Sequence, residues 1–194
     1  MKTIFFDTES NGYKDEQICQ LSYVIHEDGK HICRNYYFSV SSMNPHAFDV
    51  HGLSKFKLDE LSSGRRFSDA YEEIFNDIKS ADLFVGHNVA SDIKRLQIEF
   101  SRCRIDFRPK KQLCTMKYFG NALKLSGKDG RKKQPSLAEL CDYYRIVPEA
   151  IKHSCEVFFG ERGLDEHDAR YDTIATYLAV LAALQAGDIR GVIK

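Results

Sequence analysis

The first forty residues carry the apolar pattern of β-strands. Residues 3–7 form a nearly continuous apolar run, and residues 18–27 and 31–40 are rich in β-branched and aromatic side chains. Asp28 and Gly29, between the second and third runs, are residue types that favour tight turns. The pattern therefore predicts three strands that follow one another as an antiparallel meander.

Further along the chain, the apolar spacing changes to the period of a helix. Residues 71–78 place apolar side chains at positions i, i+3, i+4 and i+7 behind Ser68, and residues 91–103 repeat this pattern behind Ser91. Each of these serines is expected to cap its helix. The other predicted elements are strands at 82–87 and 111–116, helices at 136–146 and 168–185, and, between 41 and 67, a loop with a short helix near Leu58.

A meander followed by alternating helices and strands predicts an α/β fold. The sheet is expected to be mixed, with the antiparallel meander joined by parallel strands and with helices on both faces. A chain of 194 residues can bury one substantial core, so we expect one domain at 1–186 and a short tail at 187–194. Ligand sites in open α/β sheets lie beyond the strand ends, where the winding changes direction.

The charge of the chain is balanced overall but not locally. Lysine plus arginine and aspartate plus glutamate both total 28, so net charge gives no argument for binding a polyanion. Between Lys94 and Lys133, however, thirteen basic residues face three acidic ones. Such a run is either a solvated surface or a site for a phosphate backbone. The stretch 124–135 is expected to be a mobile basic loop.

The cysteines and the apolar runs indicate the cellular compartment. The six cysteines form no CxxC pair, which is typical of reduced thiols in a cytosolic protein. Asp7 and Glu9 interrupt the apolar start, so it is not expected to be a signal peptide. The chain contains no stretch of roughly 20 apolar residues that could span a bilayer. We therefore expect a soluble, cytoplasmic protein without membrane partners.

Two acidic residues leave the first predicted strand on the same face. Residues two apart in a strand point the same way, so Asp7 and Glu9 project together while Thr8 points to the other face. Neighbouring like charges at the rim of a core cost energy unless a cation offsets them. The pair is either two surface acids at a strand end or part of a cation site.

Three further polar residues are candidates for the same site. Asp92 falls in the first turn of a predicted helix, where the helix dipole alone can account for an acid. Asp172 lies too far inside the last helix to cap it, and the small residues around it allow a close approach to the sheet. His167 precedes Asp172 by five positions, about 140° away on one helix. We therefore place His167 in the loop that enters this helix.

These residues together resemble the DnaQ-like DEDDh family of 3′-to-5′ exonucleases, which includes the proofreading subunits of bacterial replicative DNA polymerases and RNase T. The order and spacing of the motifs are similar to those of the family from residue 1 to about 186. The segments that carry the resemblance are DTE at 7–9, GHNVASD at 86–92 and HDARYD at 167–172, with VHGLS at 50–54 between the first two.

The resemblance implies an RNase H-like fold, an exonuclease domain and two divalent cations, Mg²⁺ or Mn²⁺. By analogy with the family, Asp7 binds both ions, Glu9 and Asp172 complete the site of the first, and Asp92 acts on the second. His167 would be the general base. Carboxylate oxygens also suit these hard cations better than they suit zinc.

Residues beside the motifs are candidates for contact with the terminal nucleotide. Ser10 and Asn88 could instead form turns, and His51 could make a loop hydrogen bond. The basic segment 102–133 is either a guide for the nucleic-acid backbone or a solvated loop. The predicted substrate contacts are Thr8, Ser10, His51 and Asn88, with Phe48 or Tyr13 stacking on a base.

The resemblance therefore implies a metal-dependent phosphodiester hydrolase that removes nucleotides from the 3′ end of single-stranded or frayed DNA. A role in DNA replication or repair, including proofreading with a DNA polymerase as partner, is consistent with this activity. An exoribonuclease that trims RNA or short oligoribonucleotides is the nearest alternative, because the catalytic residues would be identical. The alternative of another class is a non-catalytic module that binds nucleic acid or a polymerase.

Overall fold

The computed structural model describes residues 1–12, 16–123, 125–126, 130–131 and 133–193. The strands are β1 (Lys2–Ser10), β2 (Ile18–Glu27), β3 (Lys30–Tyr37), β4 (Leu83–Gly86) and β5 (Gln112–Cys114). The helices are α1 (Pro45–His51), α2 (Lys55–Ser62), α3 (Tyr71–Ile78), α4 (Val89–Arg102), α5 (Thr115–Ala122), α6 (Leu137–Tyr143), α7 (Pro148–Phe159) and α8 (Ala169–Ala186), with a 3₁₀ turn at Phe67–Asp69.

The described strands form one mixed sheet in the order β3-β2-β1-β4-β5. β1, β2 and β3 pair antiparallel, whereas β4 runs parallel to both β1 and β5. The mixed sheet and the antiparallel meander are therefore confirmed. The winding changes direction between β1 and β4, so the carboxyl ends of these two strands open the crevice where α/β folds bind ligands.

Alternate residues of β1 enter two cores on opposite faces of the sheet. Ile4 and Phe6 belong to the core beneath α3 and α4, whereas Phe5 belongs to the core beneath α8. On α8, Ala175 and Ala179 are almost completely buried. These small side chains let α8 lie close to the sheet, as the sequence predicted, and they fix the height of the whole helix above β1.

Two predicted helix caps are wrong. α4 begins at Val89 rather than behind Ser91, and its cap is Asn88, which has a left-handed backbone with φ of 68°. Asparagine tolerates this conformation better than most residues, so it can begin the helix three residues earlier. Ser68 lies inside the 3₁₀ turn, and α3 follows Ala70, whose methyl side chain cannot cap a helix.

The segment 41–67 contains more helix than the sequence predicted. The short helix near Leu58 is confirmed by α2, whose cap Ser54 accepts a hydrogen bond from the backbone of Lys57. α1 was missed, although Asn44 caps it and Pro45 occupies its first position. Its side chains are not fully buried, so it carries little of the apolar periodicity on which the prediction relied.

The residues after α8 pack back onto the sheet. Ile189 and Val192 are buried, and the Thr3 hydroxyl donates a hydrogen bond of 2.5 Å to the Val192 carbonyl. The boundary between a domain at 1–186 and a tail at 187–194 stays a prediction.

All six cysteines are free thiols. Among the described helices, none combines the length and the apolar character that a bilayer span requires.

Candidate active site

Asp7 and Glu9 leave the carboxyl end of β1 on the face that carries Phe5. Both acids are half-buried, and Thr8 between them is 3% exposed on the opposite face. The strand alternation predicted this arrangement, since residues two apart share a face. A register shift between Glu9 and Ser10 then ends the regular pairing with β2. The rigid strand thus presents two carboxylates at the point where the chain turns away.

Asp92 reaches this region from the first turn of α4. Its side chain is only 5% exposed and accepts a hydrogen bond of 2.6 Å from the Thr8 hydroxyl. Arg95, one turn later, lies 3.3 Å from the same carboxylate and donates to the Thr8 carbonyl at 3.1 Å. These contacts hold Asp92 against β1. The sequence reasoning missed Arg95, although its i, i+3 spacing from Asp92 is a signal for an ion pair.

Asp172 and His167 come from the start of α8. Asp168 caps this helix, so Asp172 has no capping role, as predicted. His167 is exposed, precedes the helix and has a backbone φ of 67°. Ligand atoms of Glu9, His167 and Asp172 all lie within 4.8 Å of one another. The structure thus brings together residues that are more than 150 positions apart in the sequence.

Burial and mutual repulsion make these carboxylates hard to ionise. Burial, followed by the charges of Asp92, Asp172 and Glu9, raises the pKa of Asp7 well above its ordinary value. Burial and then the charge of Asp172 raise the pKa of Glu9 to about 8. Burial likewise raises the pKa of Asp172 to about 7, although a hydrogen bond from the His167 backbone acts in the opposite direction.

The pKa of Asp92 is raised less than those of the other acids. Burial raises the pKa of Asp92 to about 6, while the hydrogen bond from Thr8 and the charge of Arg95 act to lower it. A group of four carboxylates with one nearby arginine has a large deficit of positive charge. Oxygen donors of this kind fit hard divalent cations. The residues present therefore fit the metal ions that the sequence resemblance implied.

In the absence of divalent cations, the free energy of unfolding is expected to fall as pH rises. Glu9 and Asp172 have folded-state pKa values of about 8 and about 7, against ordinary values of 4.5 and 3.8. An acid with a raised folded-state pKa favours the folded state below its unfolded pKa, and this stability is lost as pH rises through the folded pKa. The loss between about pH 4 and pH 8 should reach a few kcal/mol.

Urea unfolding in EDTA at about pH 5.5 and pH 8, repeated with Mn²⁺, measures this effect. We expect lower stability at the higher pH in EDTA and recovery of most of that loss when Mn²⁺ is present, since the ions bind the ionised acids. If the protein in EDTA were as stable at about pH 8 as at about pH 5.5, or more stable, the proposed burial and mutual repulsion of these carboxylates would be contradicted.

The role of the predicted substrate contacts stays a prediction. The Leu53 backbone amide donates to His51 Nδ1 at 3.1 Å, so His51 Nε2 carries the proton and donates to the Ser10 carbonyl at 3.2 Å. Both ring nitrogens are thus engaged, and burial lowers the pKa of His51. This histidine is therefore held neutral and oriented, unlike the exposed His167.

The other candidate contacts differ in how accessible their side chains are. The hydroxyl of Thr8 is buried on Asp92, so what the structure shows for it is a role in positioning that acid. Asn88 donates to the Ser91 hydroxyl at 3.0 Å. Phe48 is 43% exposed and could accept a base, whereas Tyr13 lies outside the described residues.

Much of the basic run from Lys94 to Lys133 is paired with acids, which favours the interpretation as a solvated surface. The stretch 124–135 lies partly outside the described residues. The pairs are Lys94 with Glu16, Arg95 with Asp92, Arg102 with Glu99, Arg108 with Asp106, Lys110 with Asp82 and Lys133 with Glu139.

Comparison with known proteins gives a family match over most of the chain. The family model RNase_T, described as an exonuclease, matches residues 4–180. The 3′-5′ exonuclease DinG of Staphylococcus saprophyticus is 30% identical over 98 residues, which are 50% of this chain and 10% of DinG. DinG of Staphylococcus aureus strain MRSA252 is 33% identical over the same shares. The chain thus spans about a tenth of the length of these relatives.

Solved structures share the fold. Escherichia coli Exonuclease I in complex with a dA16 oligonucleotide has a TM-score of 0.70 at 14% identity, over 95% of this chain and 41% of that one. A zinc-bound form of the E. coli enzyme with single-stranded DNA has a TM-score of 0.66 at 14% identity, over 96% and 41%. At these identities the likeness establishes the fold, which is RNase H-like, as predicted.

Proposed function

We propose that this chain, which belongs to the exonuclease family defined by the RNase_T model, removes nucleotides one at a time from the 3′ end of single-stranded DNA. The observation that carries the proposal is the convergence of Glu9, His167 and Asp172, whose ligand atoms lie within 4.8 Å of one another. A carboxylate pair beside an exposed imidazole can supply metal ligands and a general base, which together support hydrolysis of a phosphodiester.

The four carboxylates would hold two divalent cations, Mg²⁺ or Mn²⁺. When bound, such ions neutralise the acids and polarise the phosphodiester. Asp7, on which the charges of Asp92, Asp172 and Glu9 all act, would serve both ions. Glu9 and Asp172 would complete the first site and Asp92 the second. The zinc-bound relative supports a divalent-metal site in this fold but not the choice of ion.

The protein side chains have separate tasks. His167 is exposed beside Glu9 and Asp172, where its imidazole can accept a proton from the attacking water. Thr8 and Arg95 hold the Asp92 carboxylate in place. His51, fixed by its two hydrogen bonds, offers a neutral ring face near the Ser10 backbone, and Phe48 offers an exposed surface for a base.

The choice of DNA over RNA is supported by the structural neighbours, which are complexes with DNA. The curated relatives are 3′-5′ exonucleases, and the Exonuclease I structures hold DNA oligonucleotides. An exoribonuclease remains the second candidate, because the metal-binding acids and His167 would serve either sugar. We further propose a cytoplasmic role in DNA replication or repair, which six free thiols support because they suit a reducing compartment. A DNA polymerase partner rests on the family resemblance alone.

The test compares DNA and RNA oligomers of one sequence, labelled at either end, with Mg²⁺, Mn²⁺ or EDTA. We expect 3′-labelled DNA to release labelled mononucleotide first and 5′-labelled DNA to yield a ladder that shortens with time. EDTA should stop both reactions. Faster loss of the RNA strand would favour the exoribonuclease, and absence of cleavage with binding retained would favour the non-catalytic module.

A further inference from the structure

A buried network ties the first turn of α8 to the sheet, and Asp168 is its centre. Asp168 Oδ1 accepts hydrogen bonds from the Arg170 backbone amide and from Arg170 Nε, each at 2.9 Å, while Oδ2 accepts from the Arg170 guanidinium at 2.7 Å. Arg170 is only 8% exposed and also donates to the Tyr37 hydroxyl at 2.7 Å. The carboxylate thus satisfies a buried cation and caps a helix at the same time.

Gln20 connects this network to the strand that carries the acids. Its amide donates to Asp168 Oδ1 at 2.9 Å and its carbonyl accepts from the Ala169 backbone at 3.3 Å. Gln20 is fully buried and lies directly opposite Glu9 in the pairing of β1 with β2. Burial acts to raise the pKa of Asp168, but the hydrogen bonds and charge of Arg170 outweigh it and keep the pKa below its ordinary value.

The position of His167 depends on the network of Asp168, Gln20 and Arg170 more than the position of Asp172 does. Asp172 lies in the first turn of α8, but its neighbours Tyr171 and Ile174 are buried in the core that holds this helix against the sheet. His167 precedes the helix, is exposed, and has a left-handed φ of 67°, which is uncommon for a residue with a side chain. Its neighbour Asp168 is fixed by side-chain contacts with Gln20 and Arg170.

We propose that Asp168 is a positioning residue, which, through Gln20 and Arg170, holds the backbone of His167 so that the imidazole faces Glu9 and Asp172. The inference rests on the proposed function only for the role of His167 as a base. Loss of this network should release the imidazole from the site while leaving Asp172 and the other acids where they are. Displacing a base by about 1 Å can cost roughly 100-fold in rate.

Kinetics of Asp168→Ala in two backgrounds test the proposal. In the wild-type background we expect kcat to fall about 10- to 100-fold while KM changes less than about threefold. In the His167→Ala background the same substitution should change kcat by less than about twofold, because no imidazole remains to be misplaced. Fully additive losses would overturn the proposal, since they would mean that Asp168 acts independently of His167.

A second measurement uses the metal alone and needs no nuclease activity. In NMR spectra of the histidine side chains, Mn²⁺ should broaden the His167 signal, assigned from its loss in His167→Ala, and this broadening should weaken in Asp168→Ala. His51 is the internal control, because its two hydrogen bonds do not involve α8. Unchanged broadening of the His167 signal would overturn the proposal even if the protein proved not to be a nuclease.

Asp168→Ala leaves the buried guanidinium of Arg170 with only the more distant Glu161 carboxylate, at 3.9 Å, so that variant can fail to fold. The double variant Asp168→Ala/Arg170→Met removes both charges and keeps the volume of the longer side chain. It also lacks the cap and the contact with Gln20, so we expect it to lose kcat and Mn²⁺ broadening as Asp168→Ala does. A folded double variant with wild-type kcat would overturn the proposal.

Discussion

An Asp7→Asn variant is expected to lose cleavage by 10³-fold or more and to be at least as stable as the wild type. The amide keeps the size of the side chain but removes the charge that both cations would share, and such ions contribute several kcal/mol to transition-state stabilisation. Burial and three neighbouring carboxylates already raise the pKa of Asp7. Removing its charge therefore relieves repulsion in the metal-free protein.

Single-turnover cleavage of labelled single-stranded DNA in Mg²⁺ measures the first effect, and urea unfolding in EDTA at about pH 8 measures the second. Asp165→Asn is the matched control, because this exposed carboxylate pairs with Lys152 and does not contribute to the group formed by Glu9, His167 and Asp172. Unchanged turnover in Asp7→Asn would remove the metal assignment. Loss of turnover together with a large drop in stability would mean that Asp7 is a structural residue.

The part of the site that could be predicted from the sequence is the part set by local geometry. Asp7 and Glu9 share a face because strand residues alternate, and His167 stands outside α8 because five residues do not bring it onto the face of Asp172. Asp92 was included in the predicted site because it ends GHNVASD, the segment at 86–92 that carries part of the family resemblance. Each of these inferences needed only the conformation of one segment and the pattern of residue types within it.

The contacts that orient the site depend on how segments pack, and the sequence does not show this. Thr8 was expected to point away from Asp7, and it does, but its hydroxyl meets Asp92 because α4 lies across that face of β1. Gln20 and Asp168 are separated by 148 positions, and only the paired strands and α8 bring them together. Polar residues in a strand or at a cap look alike in sequence whether or not they support a site.

Besides α1, the sequence reasoning missed α5 and α7, for different reasons. α7 carries recognisable end signals, since Pro148 stands at its first position and Gly160 ends it in a left-handed conformation. α5 includes Gly120, a poor helix former. A β-carbon at Gly120 would lie 2.1 Å from Oε1 of Gln134, so the Gln134 side chain packs where a larger residue at this position would displace it. Tertiary packing overrides helix propensity at this position.

The His167→Ala variant is expected to lower kcat by about 10²- to 10⁴-fold without preventing metal binding. This is the usual contribution of a positioned general base, and the carboxylate oxygens that would hold the cations stay in place. Calorimetric titration with Mn²⁺ and single-turnover cleavage give the two quantities separately. His153→Ala, which removes an exposed histidine from α7, should retain full activity and serves as the control.

The same variant also distinguishes a base from a metal ligand, because His167 lies within 4.8 Å of ligand atoms of both Glu9 and Asp172. If His167 accepts the proton, added imidazole should restore part of the lost rate at unchanged Mn²⁺ affinity, since a small base can enter the space that the side chain leaves. If His167 instead coordinates the ion, Mn²⁺ affinity should fall as it does in Asp172→Ala, and the assignment of His167 as the base would then be wrong. The exposed position of the ring and its location outside α8 favour the first outcome, since a residue at the mouth of the site can meet both the water and the solvent that receives its proton.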